Sequence, residues 1–594
     1  MKHSPTYRDR LVALRAEIAR RSLDGVLVPR ADAFLGEYVP ASAERLAWLT
    51  GFTGSAGIAL VLRDRAVLFV DGRYTTQAAA EADPGLWEFR HLIESPPATV
   101  LRETAAGLRI GYDPWLHPAA SVERLAESGA TLVPLADNPV DAVWADRPAA
   151  PAGPARPHPL AFAGREAQAK REEAAAALRS AGHAAVVLAD PHSVAWLLNI
   201  RGDDLGHTPL ALATALLRDD SRVDLFLDPA RADAALRAHL GNGVALHRPE
   251  SLAAVLRGLA GMRVRLDPDV TPARFGQLLR EAGAEAVSGE DPCRLPRACK
   301  NPVEQAGARA AHRRDAVALC RFLAWFAEAA PRGGETEMSA AAHLLSLRAE
   351  APLFVAESFP AISGAGEHGA IIHYRATPAT DRPIRAGEAY LIDSGAQYRD
   401  GTTDVTRTLW TGPGAPPEDL AMHYTLVLQG HLALAATRFP EGVAGPHLDA
   451  LARRPLWSVG LDYDHGTGHG VGSFLSVHEG PAGISRAARP VPLRPGMVLS
   501  NEPGFYRPGA YGIRIENLLL VREATPLPGQ ARPFLEFETL TFAPYERRLV
   551  LAERLSVAER AQIDAYHAAV LALVGPLLAP PEAAWLTAAC AKLS

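Results

Sequence analysis

Cysteine is scarce in this chain of 594 residues. Cys293, Cys299, Cys320 and Cys590 are all there is; none forms a C-x-x-C pair and together they offer no disulfide framework, which favours a reducing compartment, the cytoplasm. Long hydrophobic runs are missing too. The most apolar tail stretch, residues 568–579, is broken by Gly575-Pro576 and is too short to span a bilayer, so it suits a packed helix or a subunit contact. The opening MKHSPTYRDR runs on into the charged helical pattern of residues 11–20 without the apolar core of a signal peptide. Neither sign of charge dominates: 61 Lys and Arg against 67 Asp and Glu give a net −6, which makes no case for nucleic acid or a membrane surface as a partner. What is present is apolar material for several cores, 48% of the residues. The length corresponds to about three or four domains.

The boundaries are marked by proline. Pro148, Pro151, Pro154 and Pro157 recur at every third residue, the period of polyproline II, and predict a stiff linker near 147–160. A second break, DPCRLPRACKNP, covers residues 291–302. Between these breaks an internal repeat is visible: AWLTGFTGSAG (47–57) is echoed by AWLLNIRGDD (195–204), and LFVD (68–71) by LFLD (225–228). The expected division is therefore 1–160, 161–302 and 303–594, two similar domains followed by a third. Both copies alternate helical stretches (8–21, 166–181) with short apolar strands (25–28, 184–188), the pattern of an α/β layer fold. Asp71, Arg73, Asp203 and Asp204 in these copies read as turn and strand-end residues. Residues 303–329 read as a long helix with Val317, Phe322, Leu323 and Phe326 available to a core, residues 417–437 as another, and the last fifty residues as helical. The third domain is thus α+β.

The chemistry is concentrated in the last 200 residues. Asp393, Asp404, His469, Glu502 and Glu516 each stand in a sharply marked segment: YLIDSG (390–395), DGTTDVTRT (400–408), HGTGHGVG (465–472), SNEPGFY (500–506) and YGIRIEN (511–517). Four carboxylates balance the charge of two divalent cations, and a bridging hydroxide leaves about one net charge to solvate, so such a cluster can be buried. The runs 389–393 and 402–410 alternate around Asp400-Gly401 and read as a hairpin that sets Asp393 against Asp404. Arg514 lies two residues before Glu516, on the same strand face, where it would hold that carboxylate ionised and oriented. His465 and His469 are four apart, a zinc spacing on a helix, but Gly466, Gly468, Gly470 and Gly472 argue against a helix and for a backbone that approaches metal or substrate closely.

Taken in order, GTTDVTRT (401–408), DHGTGHGVG (464–472), LSVHEG (475–480), SNEPG (500–504) and YGIRIEN (511–517) resemble the pita-bread metallopeptidases, and among them the three-domain cytosolic Xaa-Pro aminopeptidases, with weaker similarity along nearly the whole chain. The resemblance implies a pita-bread catalytic domain preceded by two creatinase-type N-terminal domains that roof the site and help dimerise. It implies that Asp393 chelates one metal, His469 and Glu502 the other, and that Asp404 and Glu516 bridge the two. Glu502 would take the proton of a bridging water, the nucleophile. His373 in AIIHY (370–374) and His478 would hydrogen-bond substrate and tetrahedral intermediate and supply a proton to the leaving amine. His465 would line a proline pocket with Arg514 behind it. The resemblance favours Mn²⁺, with Co²⁺, Fe²⁺ or Zn²⁺ as alternatives. The implied partners are peptides with proline second and a second copy of the chain. Prolidase, which cleaves Xaa-Pro dipeptides, is the nearest alternative activity; a pita-bread protein retained for binding is the alternative of another class, although such proteins have lost ligands and this chain keeps all five.

Overall fold

The computed structural model describes residues 6–104 and 107–593; residues 1–5, where the segment read for a signal peptide begins, lie outside the described residues. Helix and sheet are mixed throughout, and the chain divides into two compact units, residues 1–160 with 165–294, and residues 161–164 with 295–594.

The first unit carries the repeat as two six-stranded sheets. Strands β1 (Gly25–Pro29), β2 (Ile58–Leu62), β3 (Ala66–Val70), β4 (Glu88–His91), β5 (Arg109–Tyr112) and β6 (Thr131–Pro134) lie in the order β4-β3-β2-β1-β5-β6. After β7 (Ala155–Pro157) come β8 (Ala185–Leu188), β9 (Ile200–Gly202), β10 (Thr214–Arg218), β11 (Val223–Phe226), β12 (Val244–His247), β13 (Arg263–Leu266) and β14 (Glu285–Ser288), and the second sheet is ordered β12-β11-β10-β8-β13-β14. The pairings match strand for strand: β1–β2 and β2–β3 are antiparallel like β8–β10 and β10–β11, and the rest of each sheet is parallel. β1, β3 and β8 are buried along their length, as strands covered on both faces must be. The two copies meet through like segments. Ala119 N donates to Thr271 O (3.3 Å) while Ala273 N donates to His117 O (2.9 Å), and Ala120 N to Pro268 O (3.0 Å) while Arg274 N donates to Pro114 O (3.0 Å), the reciprocity of a local two-fold.

The proline-spaced segment, expected to be a stiff linker, also supplies a short strand. Ala155–Pro157 pairs antiparallel with β9, because a proline-bearing extended chain serves as well for a short edge strand as for an isolated polyproline helix. Asp71 pairs with Arg73 (2.7 Å), Asp203 with Arg156, and Asp204 accepts from Gly153 N (3.1 Å) and Leu212 N (2.7 Å), all structural roles.

In the second unit, the helix Pro302–Arg332 starts at Asn301, whose side chain accepts from the Val303 and Glu304 N–H groups while Glu304 returns the bond, a reciprocal cap. Phe322, Leu323 and Phe326 are buried in its core and Val317 partly so. The strands are β15 (Phe354–Glu357), β16 (Ile362–Ala365), β17 (Ala389–Ser394), β18 (Ala396–Tyr398), β19 (Gly401–Thr402), β20 (Val405–Trp410), β21 (Phe439–Pro440), β22 (Gly468–Gly470), β23 (Glu479–Ile484), β24 (Val498–Asn501), β25 (Gly504–Arg507), β26 (Tyr511–Arg514), β27 (Asn517–Glu523) and β28 (Phe534–Thr539). They form the sheets β16-β17-β20, β15-β18-β19 and β21-β28-β27-β24-β22-β23, with β25-β26 a hairpin. The helices Glu418–Ala435, Val557–Val574 and Pro580–Ala589 match the helical stretches expected there. Among the described residues no helix is long and apolar enough to cross a membrane.

The expected hairpin is present but stepped. β17 and β20 pair antiparallel with Asp393 opposite Thr406, while the chain between them turns away at Gly395 so that β18 and β19 join β15. A Cβ at Gly395 would collide with the Thr403 carbonyl, so glycine is what allows the strands to cross so closely. Asp404 therefore sits in the step before β20 rather than across the ladder from Asp393.

Candidate metal centre

Strand ends and strand breaks deliver the five predicted ligands. Asp393 is near the end of β17, Asp404 in the step before β20, His469 within β22, Glu502 just after β24, and Glu516 in the break between β26 and β27. Glu516 N donates to Thr406 O (3.2 Å) and Arg407 Nη1 to Glu516 O (2.7 Å), which joins the β20 backbone to the break that carries Glu516. Donor atoms of Asp404, His469 and Glu516 lie within 4.8 Å of one another. His469 Nε2 is 3.5 Å from Asp404 Oδ2 and 3.3 Å from Glu502 Oε1.

The hydrogen bonds leave a cation-binding surface. Asp393 Oδ2 accepts from Arg514 Nη2 (2.7 Å) and Glu516 Oε2 from Thr406 Oγ1 (2.7 Å), whereas Asp393 Oδ1, Asp404 Oδ1 and Glu516 Oε1 are buried without a partner. Buried carboxylate oxygens left this way are costly unless a cation takes them. His469 fits the same purpose: its Nδ1 lies 3.0 Å from the Gly470 carbonyl, which only accepts, so Nδ1 donates there and Nε2 is the nitrogen that faces the carboxylates, where a cation would replace its proton. The electrostatics agree. Burial, against the pull of Arg514, lifts the Asp393 carboxyl to about 6. Burial likewise raises Glu502, despite His469, and raises Glu516 well above the usual range with the Asp404 charge adding to it. Burial alone would lower His469, but its contact with Asp404 and the charges of Glu502 and Asp404 outweigh it and raise the imidazole to about 9. A cluster in which Asp393, Glu502 and Glu516 resist ionising and His469 holds its proton is short of positive charge, which two divalent cations would supply.

Two expectations change. Arg514 was expected beside Glu516, but its guanidinium pairs with Asp393; the residues of β26 alternate faces, yet Glu516 lies beyond the strand's end, where the alternation no longer governs. Gly468 and Gly470 of HGTGHGVG are needed for sheet packing: a Cβ at Gly468 would collide with the Ser500 carbonyl, and one at Gly470 with that of Glu479.

Two of the three predicted histidines, His465 and His478, connect to this set. His465 Nδ1 faces the Gly466 carbonyl (2.8 Å), so its Nε2 accepts from the Tyr506 hydroxyl (2.9 Å), which in turn accepts from Arg514 Nη1 (2.6 Å). The His478 ring lies edge-on to His469 with centroids 4.2 Å apart. His373 is half-buried and follows the turn Gly366–Ala370, which packs against β26. Sequence reasoning missed the supporting residues: Tyr506; Thr406, which also accepts from Arg514 Nε (3.3 Å); and Ser500, which accepts from His469 N (2.9 Å) and donates to Glu502 Oε1 (3.0 Å). No spacing pointed to Thr406 or Ser500: Asp404 and Glu502, two residues away, lie outside β20 and β24, where alternation does not fix a face, and Thr406 bonds Glu516 instead.

Comparison with known proteins agrees with this geometry. The model of metallopeptidase family M24 matches residues 306–523, the C-terminal region of that peptidase family residues 533–593, and the creatinase/prolidase N-terminal domain matches twice, at 10–143 and 146–304. Fold and donor set thus define a metallopeptidase of family M24 with a doubled creatinase-type N-terminal region. The probable Xaa-Pro aminopeptidase P of Colletotrichum graminicola is 38% identical over 590 residues, 95% of each chain, and aminopeptidase P2 of Arabidopsis thaliana is 37% identical over 94% of this chain and 84% of its own. The X-prolyl aminopeptidase of Caenorhabditis elegans, described as a cytosolic enzyme with a di-nuclear active site, superposes with a TM-score of 0.94 at 33% identity, over 99% of this chain and 100% of that one. The dipeptidase PepE of Mycobacterium ulcerans, 26% identical, covers 66% of this chain and 98% of its own with a TM-score of 0.51. The chain belongs to the Xaa-Pro aminopeptidase P family.

Proposed function

We propose that this protein is a metal-dependent aminopeptidase that hydrolyses the N-terminal Xaa-Pro bond of peptides and releases the first residue. The observation that carries the reading is the cluster of Asp404, His469 and Glu516 donor atoms within 4.8 Å of one another, together with buried, unpartnered carboxylate oxygens on Asp404, Glu516 and Asp393. In this reading Asp393 holds one cation, His469 and Glu502 the other, and Asp404 and Glu516 are shared. When bound there, two divalent cations would acidify a water for nucleophilic attack and polarise the scissile carbonyl. Mn²⁺ is the proposed cation, since carboxylates with one imidazole suit it better than a structural zinc site; Co²⁺, Fe²⁺ and Zn²⁺ compete for the same donors.

The chain's own groups divide the remaining work. Glu502, oriented by Ser500 Oγ, takes up the proton of the attacking water. His373 and His478 hydrogen-bond the substrate carbonyl and the tetrahedral intermediate, and return a proton to the leaving amine. His465, Tyr506 and Arg514 form one wall of a pocket for the proline ring. An Xaa-Pro bond has no N–H to grip and its ring fixes φ near about −65°, so a pocket shaped for the ring turns that rigidity into preorganisation. Domains at 1–160, 161–302 and 303–594, a homodimer, and a cytoplasmic location belong to the same proposal. The location is supported by four free cysteines and by a relative described as cytosolic.

The test compares an Arg-Pro-Pro-type peptide, the dipeptide Ala-Pro and a proline-free peptide at equal concentration with Mn²⁺-loaded protein. Release of only the first residue from the first peptide, with the other two slow, is expected. Best turnover of the dipeptide would make the protein a prolidase, and equal cleavage of all three would remove the proline pocket.

A further inference from the structure

Glu337, in the first turn of the helix Glu337–Ala349, is 0% exposed. Its carboxylate nevertheless has a donor for each oxygen: Oε1 accepts from Ala365 N (2.8 Å) and His368 Nδ1 (2.9 Å), Oε2 from the Tyr374 hydroxyl (2.8 Å). The Glu337 carbonyl accepts from Ser363 Oγ (2.7 Å). All these donors lie within residues 363–374, the stretch that carries His373. Tyr374 follows His373 directly, is buried, packs its ring on His368 at 4.4 Å, and stays a neutral O–H donor because burial pushes its pKa up. The turn in this stretch lies against β26, where a Cβ at Gly512 would collide with the Gly369 carbonyl. The His373 segment is therefore held between a buried carboxylate and the strand that ends in Arg514. Charge-assisted bonds to a buried carboxylate are strong and directional, unlike a solvent-exposed ion pair, and so fix position.

We propose that Glu337, acting through Tyr374, is a positioning residue for His373, so that loss of the tether lowers turnover without loss of metal. The proposal rests on the reading of His373 as a group that contacts substrate. Tyr374→Phe removes one O–H and keeps the ring; Glu337→Gln keeps the shape and removes the charge. Each is made alone and with His373→Ala, and kcat, KM, bound metal and melting temperature are measured on the full chain loaded with Mn²⁺. Either single variant is expected to lose about tenfold to hundredfold in kcat with both cations retained, since a displaced catalytic group costs that much. In the His373→Ala background the further loss should stay within about twofold, as it must if the tether works only through His373. Losses that multiply in that background, losses explained by missing metal, or wild-type kcat in Tyr374→Phe overturn the proposal. If Glu337→Gln fails to fold, Tyr374→Phe decides alone. A wild-type rate for His373→Ala overturns both the tether and the role of His373, and is told apart because it leaves the Xaa-Pro selectivity standing.

Discussion

Arg514 Nη2 donates to Asp393 Oδ2 at 2.7 Å, with both side chains buried, and its Nη1 donates to the Tyr506 hydroxyl at 2.6 Å. Because the Tyr506 hydroxyl donates to His465 Nε2, one hydrogen-bonded chain runs from the Asp393 carboxylate to the side of the proposed proline pocket. A guanidinium holds its partners at fixed angles in one plane, whereas the donors of an ammonium rotate on a flexible stem.

Arg514→Lys should therefore keep the charge but not the three bonds to Asp393, Tyr506 and Thr406 together, and Arg514→Ala should leave Asp393 without its guanidinium partner. We expect activity to fall about 10–100-fold or more for alanine and less for lysine, with weaker Mn²⁺ binding in both. Equal Mn²⁺ affinity in wild type and Arg514→Ala, by calorimetry, would show that the guanidinium does not support the ligand.

Chelation should abolish activity and Mn²⁺ should restore it. Asp404→Ala and Glu516→Ala should each cost more than Arg514→Lys, because both offer a buried, unpartnered oxygen to the cluster and are proposed to be shared between two cations. Elemental analysis alongside the assay checks this; full turnover by metal-free protein would sink the mechanism.

Glu502→Gln keeps shape and one oxygen for a cation but cannot take up a proton, so it should retain metal and lose about 10²–10⁴-fold in rate. Ser500→Ala removes the hydroxyl that orients this carboxylate and should cost less than the glutamine variant. The reverse ranking in single-turnover measurements would move the proton acceptor elsewhere.

Acid should weaken the fold through His117, at the seam between the repeated sheets. Burial pulls its pKa down to about 4, and its Nε2 has no partner. The unfolded chain binds the proton at about 6.5, so stability is whole above that pH and is lost as pH falls toward 4, by up to about 3 kcal/mol. Melting curves of wild type and His117→Phe between pH 7 and 4 should show a smaller acid shift in the variant; parallel shifts would assign the acid sensitivity to other groups.

The sequence by itself determined what local pattern can determine. The repeat at 47–57 and 195–204 announced two matching α/β layers because each copy needs the same apolar strands and turns to bury its own core, and both sheets have the same strand order. The five proposed ligands stood out because metal chemistry allows few side chains, and each sits in a distinctive segment. Tertiary structure decided who touches whom. Arg514 reaches Asp393 across more than a hundred residues of chain, Thr406 supports Glu516, and Tyr374 is tied to Glu337. Strand periodicity tells which face a side chain takes and stops at the strand's end, so the breaks that place Asp404 and Glu516 could be fixed only by the packing of one sheet on another.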